Sequence, residues 1–222
     1  MDLLIDPGLA LHLPLYELDG GSLKSKDAYG HLFTVTGALW RPDGRAFDGD
    51  DYIKRTVTDW QGADTEGTIL VWFKTSDSGE QTLFNSCDEA ATNRVFFLKI
   101  DPATGTLKVV QQNADTTDAV RAATTGVRDG VWHLGILASD GSAYFMWVDN
   151  IPQSLDTAGG SNTGDWLADT ESRNNVVIGA DIRSSPAKDE MVGKIGEVAY
   201  YNRFLTPQER QQFQLSTEWR YK

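Results

Sequence analysis

Short apolar runs and alternating apolar and polar positions dominate the chain, and turn signals separate them at short intervals. Alternation indicates half-buried strands, and many short strands with closely spaced turns indicate a sandwich or a barrel. The pattern predicts nine strands, at Leu9–Leu15, Gly44–Phe47, Thr68–Thr75, Val95–Ile100, Leu107–Gln112, Val131–Ala138, Ala143–Asp149, Val176–Ala180 and Lys194–Tyr201.

Three connecting segments carry further predictions. Asp140-Gly141 lies between two apolar runs and favours a hairpin with a type I′ turn, whose central residues both need a positive φ. Thr206 followed by Pro207 and, three residues after the threonine, by Glu209 is a helix-start signal. It predicts one short helix from Pro207 to about Leu215. The polar segment Asp156–Ser172 is predicted to be a long surface loop between strands.

Length and composition indicate one globular domain over residues 1–222. The chain has 222 residues, of which 40% are apolar and 23% are charged, values typical of a folded protein that buries a sizeable core. Its single cysteine, Cys87, excludes an intrachain disulfide. The net charge of −12 disfavours binding to nucleic acid or anionic lipid, which depends on clustered Lys and Arg.

The first residues lack the features of an export signal. Asp2 and Asp6 flank a short apolar patch that Pro7 ends, whereas a secretory signal needs a basic segment followed by a longer apolar one. No stretch reaches the roughly eighteen apolar residues of a membrane span. The sequence therefore predicts synthesis in the cytoplasm without a signal peptide, and no insertion into a membrane.

The histidines and carboxylates do not form a recognisable catalytic motif. His133 follows Trp132 in an apolar strand pattern with no nucleophile nearby, so we interpret it as structural. His12 and His31 are isolated in the sequence and do not have the spacing of a metal site. Glycosidases need two carboxyl groups flanking the scissile bond, and the E-x-D-x-x-E run that would place them on one sheet face is absent. We therefore expect no enzymatic activity and no catalytic residues.

Acidic loop residues suggest a structural calcium ion as a candidate cofactor, because Ca²⁺ prefers carboxylate and carbonyl oxygens. None of these residues has the spacing of an EF-hand, and a turn-stabilising role is at least as plausible for each. The candidate ligands are Asp19, Asp27, Asp48, Asp50, Asp51 and Glu197.

Aromatic residues are the main candidates for ligand binding. Trp72, Trp132 and Trp147 lie in predicted strands, so we assign them to the core. Trp40, Trp60 and Trp166 lie in loops or at strand ends, where an exposed ring can stack on a sugar or anchor a protein partner. They can equally cap the sandwich. Trp166 is the best binding candidate, because its predicted loop is long and polar.

Eight segments stand out for their order along the chain. The first four are LHLPL at Leu11–Leu15, Asp27 with Gly30, GALW at Gly37–Trp40 and FDGDDYI at Phe47–Ile53. The later four are TILVWFKT at Thr68–Thr75, GVWH at Gly130–His133, YFMWVDNI at Tyr144–Ile151 and KIGEVAYYNRFLTPQ at Lys194–Gln208. From about residue 9 to residue 210, these segments in this order resemble the laminin-G-like, concanavalin A-like jelly-roll family.

The resemblance implies an all-β sandwich of two antiparallel sheets in a jelly roll, with one short C-terminal helix. It also implies that the Trp132-His133 pair is a packing feature of the sandwich. Many members carry Asp-Asp in the closing strand, where one carboxylate can bind calcium, whereas this chain has Gly196-Glu197. The hairpin residues Asp149-Asn150 replace Asp-Gly, and Asn also tolerates a left-handed turn.

A fold does not by itself define a function, and two non-enzymatic hypotheses follow from the sequence. The first is a virus or phage particle component, such as a capsid decoration or tail protein displayed on the virion surface, where it can also hold the particle to host or environmental glycans. Its partners would be capsid or tail proteins, or further copies of the chain. It is motivated by the missing export signal. The alternative is a stand-alone carbohydrate-binding module whose partners are glycans.

Overall fold

The computed structural model describes residues 6–18, 22–184 and 186–222. They form seventeen strands, numbered β1 to β17 in chain order, and one α-helix. The strands make two antiparallel sheets packed face to face, as predicted for a jelly-roll sandwich. In this part of the chain no helix combines the length and the apolar character that crossing a bilayer requires.

One sheet has eight strands, and the long strand Val192–Tyr201 (β17) lies at its centre. The members are β1 (Leu9–Pro14), β4 (Leu39–Arg41), β5 (Gly44–Asp48), β7 (Gly67–Lys74), β12 (Trp132–Ser139), β13 (Tyr144–Val148), β14 (Ile151–Pro152) and β17 (Val192–Tyr201). Their order is β14-β13-β12-β7-β17-β5-β4, and β1 also pairs with β17. β5 pairs with the first half of β17 and β1 with the second half. The register shifts at Gly196 between these halves.

The other sheet has nine strands. They are β2 (Ser22–Lys24), β3 (Leu32–Thr36), β6 (Tyr52–Thr56), β8 (Gln81–Cys87), β9 (Arg94–Ile100), β10 (Leu107–Asn113), β11 (Thr116–Ala122), β15 (Leu155–Gly159) and β16 (Asn175–Ile178). Their order is β15-β11-β10-β9-β8-β16-β6-β3-β2. The main apolar core fills the space between the two sheets.

The predicted loop Asp156–Ser172 is only partly a loop. Its first residues belong to β15, which pairs with β11 at the edge of the nine-stranded sheet, and a short 3-10 helix spans Leu167–Asp169. The prediction missed β15 because most of its side chains are exposed, so an edge strand of this kind shows no apolar alternation.

The pair of positive φ values predicted for the turn before β13 is found instead in the turn after it. At Asp140-Gly141 only the glycine has a positive φ, of 81°, and the Asp140 side chain accepts hydrogen bonds from the amides of Ser142 and Ala143. The type I′ prediction there is wrong because this side chain closes a longer turn. The paired positive φ values occur at Asp149 (53°) and Asn150 (62°), between β13 and β14.

A second apolar layer covers the outer face of the eight-stranded sheet. The helix α1 (Pro207–Thr217) lies in it and begins with the predicted capping box of Thr206 and Glu209. A 3-10 turn, Glu218–Arg220, follows. The ring of Tyr221 then stacks on Trp72 at 4.7 Å between centroids and lies so close to Gly196 that a Cβ there would meet it at 2.3 Å.

Both ring nitrogens of His133 have side-chain partners, as predicted, and the ring joins two segments around β12. Nδ1 lies 2.9 Å from a carboxylate oxygen of Asp149 and Nε2 lies 3.1 Å from one of Asp129. Asp149 also accepts a hydrogen bond from the amide of Leu134. The two carboxylates stabilise the imidazolium form and raise the pKa of His133, although burial opposes the shift.

This arrangement predicts how stability depends on pH. Because the folded-state pKa of His133 lies above the unfolded value of about 6.5, its contribution is complete at lower pH. It is lost as pH rises through the folded pKa. Urea unfolding from pH 5 to pH 9 is expected to show this loss in the wild type but not in His133→Gln. In NMR titrations, Asp149→Asn should lower the pKa of His133 more than Asp129→Asn, and equal values in all three proteins would contradict the assignment.

Candidate functional site

A groove of about 700 Å³ opens on the nine-stranded sheet beside β3 and β6, within the range typical of small-ligand sites. Aromatic, hydroxyl and basic side chains line it: Tyr29, Gly30, His31, Leu32, Thr34, Thr36, Tyr52, Lys54, Arg55 and Thr56. The strands β3 and β6 and the turn before β3 thus form one groove whose lining is mostly polar and includes aromatic rings.

The turn before β3 forms one wall, and Asp27 holds its shape. One carboxylate oxygen of Asp27 accepts hydrogen bonds from the amides of Tyr29 (2.8 Å) and Gly30 (3.1 Å), and the other accepts one from the amide of His12. The amide of His31 donates to the hydroxyl of Ser25. These contacts present the exposed ring of Tyr29, parallel to His31 at 5.5 Å between centroids, to the groove.

His31 connects this wall to the core. Its ring makes an edge contact with Trp60, which is buried, at 6.3 Å between centroids. Burial lowers the pKa of His31, and the positive charge of Arg55 lowers it further. The imidazole is therefore neutral near pH 7, where it can exchange hydrogen bonds with a ligand without adding charge.

β3 and β6 form the floor, and their cross-strand pairs place polar groups side by side. Thr34 is opposite Lys54, and Thr36 is opposite Tyr52. The ammonium group of Lys54 lies 2.5 Å from a carboxylate oxygen of Glu89, so its charge is balanced within the protein. The floor thus combines one aromatic ring, threonine hydroxyls and a neutralised cation on rigid strands.

The three tryptophans predicted as ligand-binding residues do not line the groove. Trp166 is fully buried, its indole nitrogen donates to the hydroxyl of Tyr200 and its ring packs against Phe96. The expectation of an exposed ring is wrong for Trp166, because the polar segment around it turns the ring into the core. Trp60 is also buried, and its ring makes the edge contact with His31 described above. Trp40 is half-buried in β4, in the other sheet, and donates to the carbonyl of Tyr16.

The calcium candidates separate into groups with different roles. Asp48, Asp50 and Asp51 lie together at the end of β5, with carboxylate oxygens within 4.8 Å of one another. Desolvation raises the pKa of Asp51, and a hydrogen bond with Asp48 raises that of Asp50. Their oxygens are of the type that Ca²⁺ prefers. Asp27 shapes the groove wall instead, and Asp19 lies outside the described residues.

Glu197, the remaining candidate, is buried on the outer face of the eight-stranded sheet. Its Oε1 lies 2.6 Å from Nε2 of His12, and both side chains are almost fully enclosed. Oε2 of Glu197 and Nδ1 of His12 are buried without a hydrogen-bond partner in the described part of the chain. The pair joins β1 to β17 and lies apart from the acidic cluster at the end of β5.

The groove was missed in the sequence because neither β3 nor β6 was predicted. In β6 the buried Ile53 alternates with outward side chains, but the adjacent cations Lys54 and Arg55 hide the apolar pattern. A usable signal was present: two consecutive cations follow the acidic Asp48–Asp51 segment in a chain with a large negative charge.

Comparison with known proteins identifies the family. A laminin G-type family model, described as Concanavalin A-like lectin/glucanases superfamily, matches residues 47–209. The chain belongs to this superfamily. The match covers most of the sandwich, from β5 to the first turn of α1, and confirms the resemblance seen in the sequence. A search of curated proteins finds no match.

Solved structures similar to this concanavalin A-like chain include a CBM40 domain of the Ruminococcus gnavus IT-sialidase. It is 19% identical with a TM-score of 0.58, and the match covers 67% of this chain and 82% of that one. The same domain with α2,3-sialyllactose is 22% identical, with a TM-score of 0.53 and coverages of 65% and 79%. Trypanosoma rangeli sialidase with sialic acid is 18% identical with a TM-score of 0.71. That match covers 98% of this chain but only 34% of the sialidase. These identities establish a shared fold.

Proposed function

We propose that the protein is a non-enzymatic carbohydrate-binding module that holds a glycan in the groove formed by β3, β6 and the turn before β3. The observation that carries the proposal is the groove lining, in which the exposed Tyr29 and the half-buried Tyr52 lie among hydroxyl and basic side chains. Sugars present apolar ring faces edged by hydroxyl groups, so they match a surface that offers both kinds of contact.

Tyr29 and Tyr52 provide the aromatic contacts. Tyr29 is 60% exposed, and its backbone is held by Asp27, so little conformational freedom is lost when a sugar stacks on it. Thr34, Thr36 and Thr56 carry exposed hydroxyls that can donate or accept hydrogen bonds. A rigid groove of this kind favours affinity, because it is already formed before the ligand arrives.

The structural neighbours support the proposal independently of the groove. A CBM40 domain with a similar fold has been solved with α2,3- and with α2,6-sialyllactose. We therefore rank glycan binding above the virus-particle role predicted from the sequence. A place on a virion surface, with capsid or tail partners, remains a separate proposal, and immunogold labelling of purified particles tests it.

The groove also supports a non-enzymatic role. Hydrolysis of a glycosidic bond commonly uses two carboxyl groups on either side of that bond. None of the described lining residues carries a carboxyl group, and the nearby Glu89 is paired with Lys54. We expect no product from β-glucans, galactans or sialosides. Turnover of any of them would overturn this part of the proposal.

A glycan array with the full chain tests the function, and Tyr29→Ala tests the site. Loss of the stacking surface is expected to weaken binding of array hits by roughly three- to tenfold, with little change in thermal stability, because the ring is exposed. Trp219→Ala is the matched control, since this ring is 68% exposed on the C-terminal 3-10 turn. Equal losses in both variants, or no array hit, would contradict the proposal.

A further inference from the structure

Glu89 presents one free carboxylate oxygen beside the groove. Its Oε1 lies 2.5 Å from Nζ of Lys54 and accepts a hydrogen bond from Nδ2 of Asn175 at 3.3 Å. Its Oε2 has no hydrogen-bond partner in the described part of the chain, and the side chain is 34% exposed. One oxygen is thus held in place, while the other is available to a hydroxyl group that arrives from solution.

The strand register places this carboxylate on the outward face of the sheet, where the groove floor lies. Lys54 is opposite Thr34 of β3 on one side and opposite Val177 of β16 on the other, and Val177 belongs to an apolar cluster distinct from the core between the sheets. Asn175 shares the face of Val177 because it lies two residues before it, and it is opposite Thr56 of the groove lining. Both partners of the carboxylate thus border the floor, so its free oxygen is within reach of a ligand there.

The floor of the groove carries no net charge. Among the described lining residues, Lys54 is the only cation on the outward face of β6. Arg55 alternates with it along the strand and lies opposite Val176, a residue of the core between the sheets. Lys54 is balanced by Glu89. The chain as a whole carries a net charge of −12, so its field repels anionic ligands, and the floor has no unpaired cation to oppose that repulsion.

We propose that the groove selects uncharged glycans, and that Oε2 of Glu89 accepts hydrogen bonds from their hydroxyl groups. The inference rests on the proposed carbohydrate-binding function and names the ligand class of the same site. One sugar hydroxyl donates to this oxygen while a neighbouring hydroxyl accepts from the ammonium group of Lys54, and hydrogen bonds to charged groups are stronger than those between neutral groups. A sugar that carries a carboxylate or a sulfate meets the negative charge of Glu89 instead.

A glycan array of neutral oligosaccharides and their sialylated, sulfated and uronic acid counterparts tests the ligand class with the full chain. We expect the hits to be neutral. In calorimetry with matched pairs, such as lactose with 3′-sialyllactose and lactose with lactose 3′-sulfate, the neutral member of a bound pair should bind at least about tenfold more tightly. Equal or tighter binding of the acidic members would overturn the inference and leave glycan binding in place. Absence of any hit would overturn both.

Glu89→Gln tests the residue, because it keeps the shape of the side chain but removes the charged acceptor and leaves Lys54 unpaired. It is expected to weaken binding of the best neutral hit by roughly tenfold. The unpaired ammonium group should at the same time strengthen binding of the acidic counterpart by about threefold or more. Opposite changes for the two sugars separate a role in ligand selection from a general loss of structure, which would weaken both.

Glu218→Gln is the matched control. It makes the same change in a glutamate that is also paired with a lysine, Lys222, but that lies on the C-terminal 3-10 turn in the layer outside the eight-stranded sheet. It should leave both affinities unchanged. Equal effects of the two substitutions, or a parallel loss of neutral and acidic sugars in Glu89→Gln, would overturn the role of Glu89.

Discussion

Trp166→Ala is expected to destabilise the protein by about 3–5 kcal/mol, the usual cost of removing a large aromatic side chain from a packed core. Trp166 is fully buried and its ring packs against Phe96. Its indole nitrogen donates to the hydroxyl of Tyr200, which in turn donates to a carboxylate oxygen of Asp64. The substitution therefore leaves a cavity and also breaks a buried hydrogen-bond chain.

Denaturant unfolding measures this effect, and Trp219→Ala again supplies the control. Trp219 is 68% exposed, so its removal should change the free energy of unfolding by no more than roughly 0.5 kcal/mol. A Trp166→Ala protein that kept its stability but lost glycan binding would support the role predicted from the sequence and contradict the buried position. The comparison separates a binding tryptophan from a core tryptophan directly.

His12→Ala is the second substitution with a large expected effect, again about 3–5 kcal/mol of destabilisation. It removes the group that lies 2.6 Å from Oε1 of Glu197 and leaves that carboxylate enclosed without compensation. Glu197 is only 1% exposed, and its second oxygen has no hydrogen-bond partner in the described residues. The cost thus comes from the carboxylate left behind more than from the lost contact.

A double substitution distinguishes these contributions. His12→Leu with Glu197→Met replaces both polar groups by apolar ones and should recover most of the lost stability, because no buried polar group is then left without its partner. Lys222→Ala is the control for an exposed pair, since it removes the partner of Glu218 at the surface. It should cost no more than about 1 kcal/mol. A double variant as unstable as His12→Ala would show that the pair itself stabilises the fold.

The fold was predictable where strands are buried on both faces. β7 and β12 are enclosed almost throughout, so their unbroken apolar runs, such as TILVWFKT, were recognised. The capping box at Thr206 was equally clear, because it depends on residues three positions apart. Edge strands such as β15 expose most of their side chains, and their pairing depends on partners distant in the chain. Local patterns therefore could not reveal them.

The site was less predictable, because tertiary contacts decide which side chains are exposed. The polar residues around Trp166 indicated a loop with an exposed ring. The ring instead lies in the core, where its indole nitrogen donates to the hydroxyl of Tyr200, a residue distant in the sequence. Conversely, Tyr29 and Tyr52 are separated in sequence, and they line one groove only when the turn before β3 folds beside β6. The expectation that the ring nitrogens of His133 find nearby partners agrees with the structure, because one partner, Asp149, lies in the turn that follows the next strand.

The packing of Tyr221 over Gly196 has a practical consequence for how the protein should be attached to a surface. Tyr221 is anchored in the layer outside the eight-stranded sheet, and Lys222, the next residue, is exposed. The groove belongs to the nine-stranded sheet. A tag or tether joined after Lys222 would therefore leave from a different layer of the sandwich, so a sensor chip loaded in this way would present the groove to dissolved sugars.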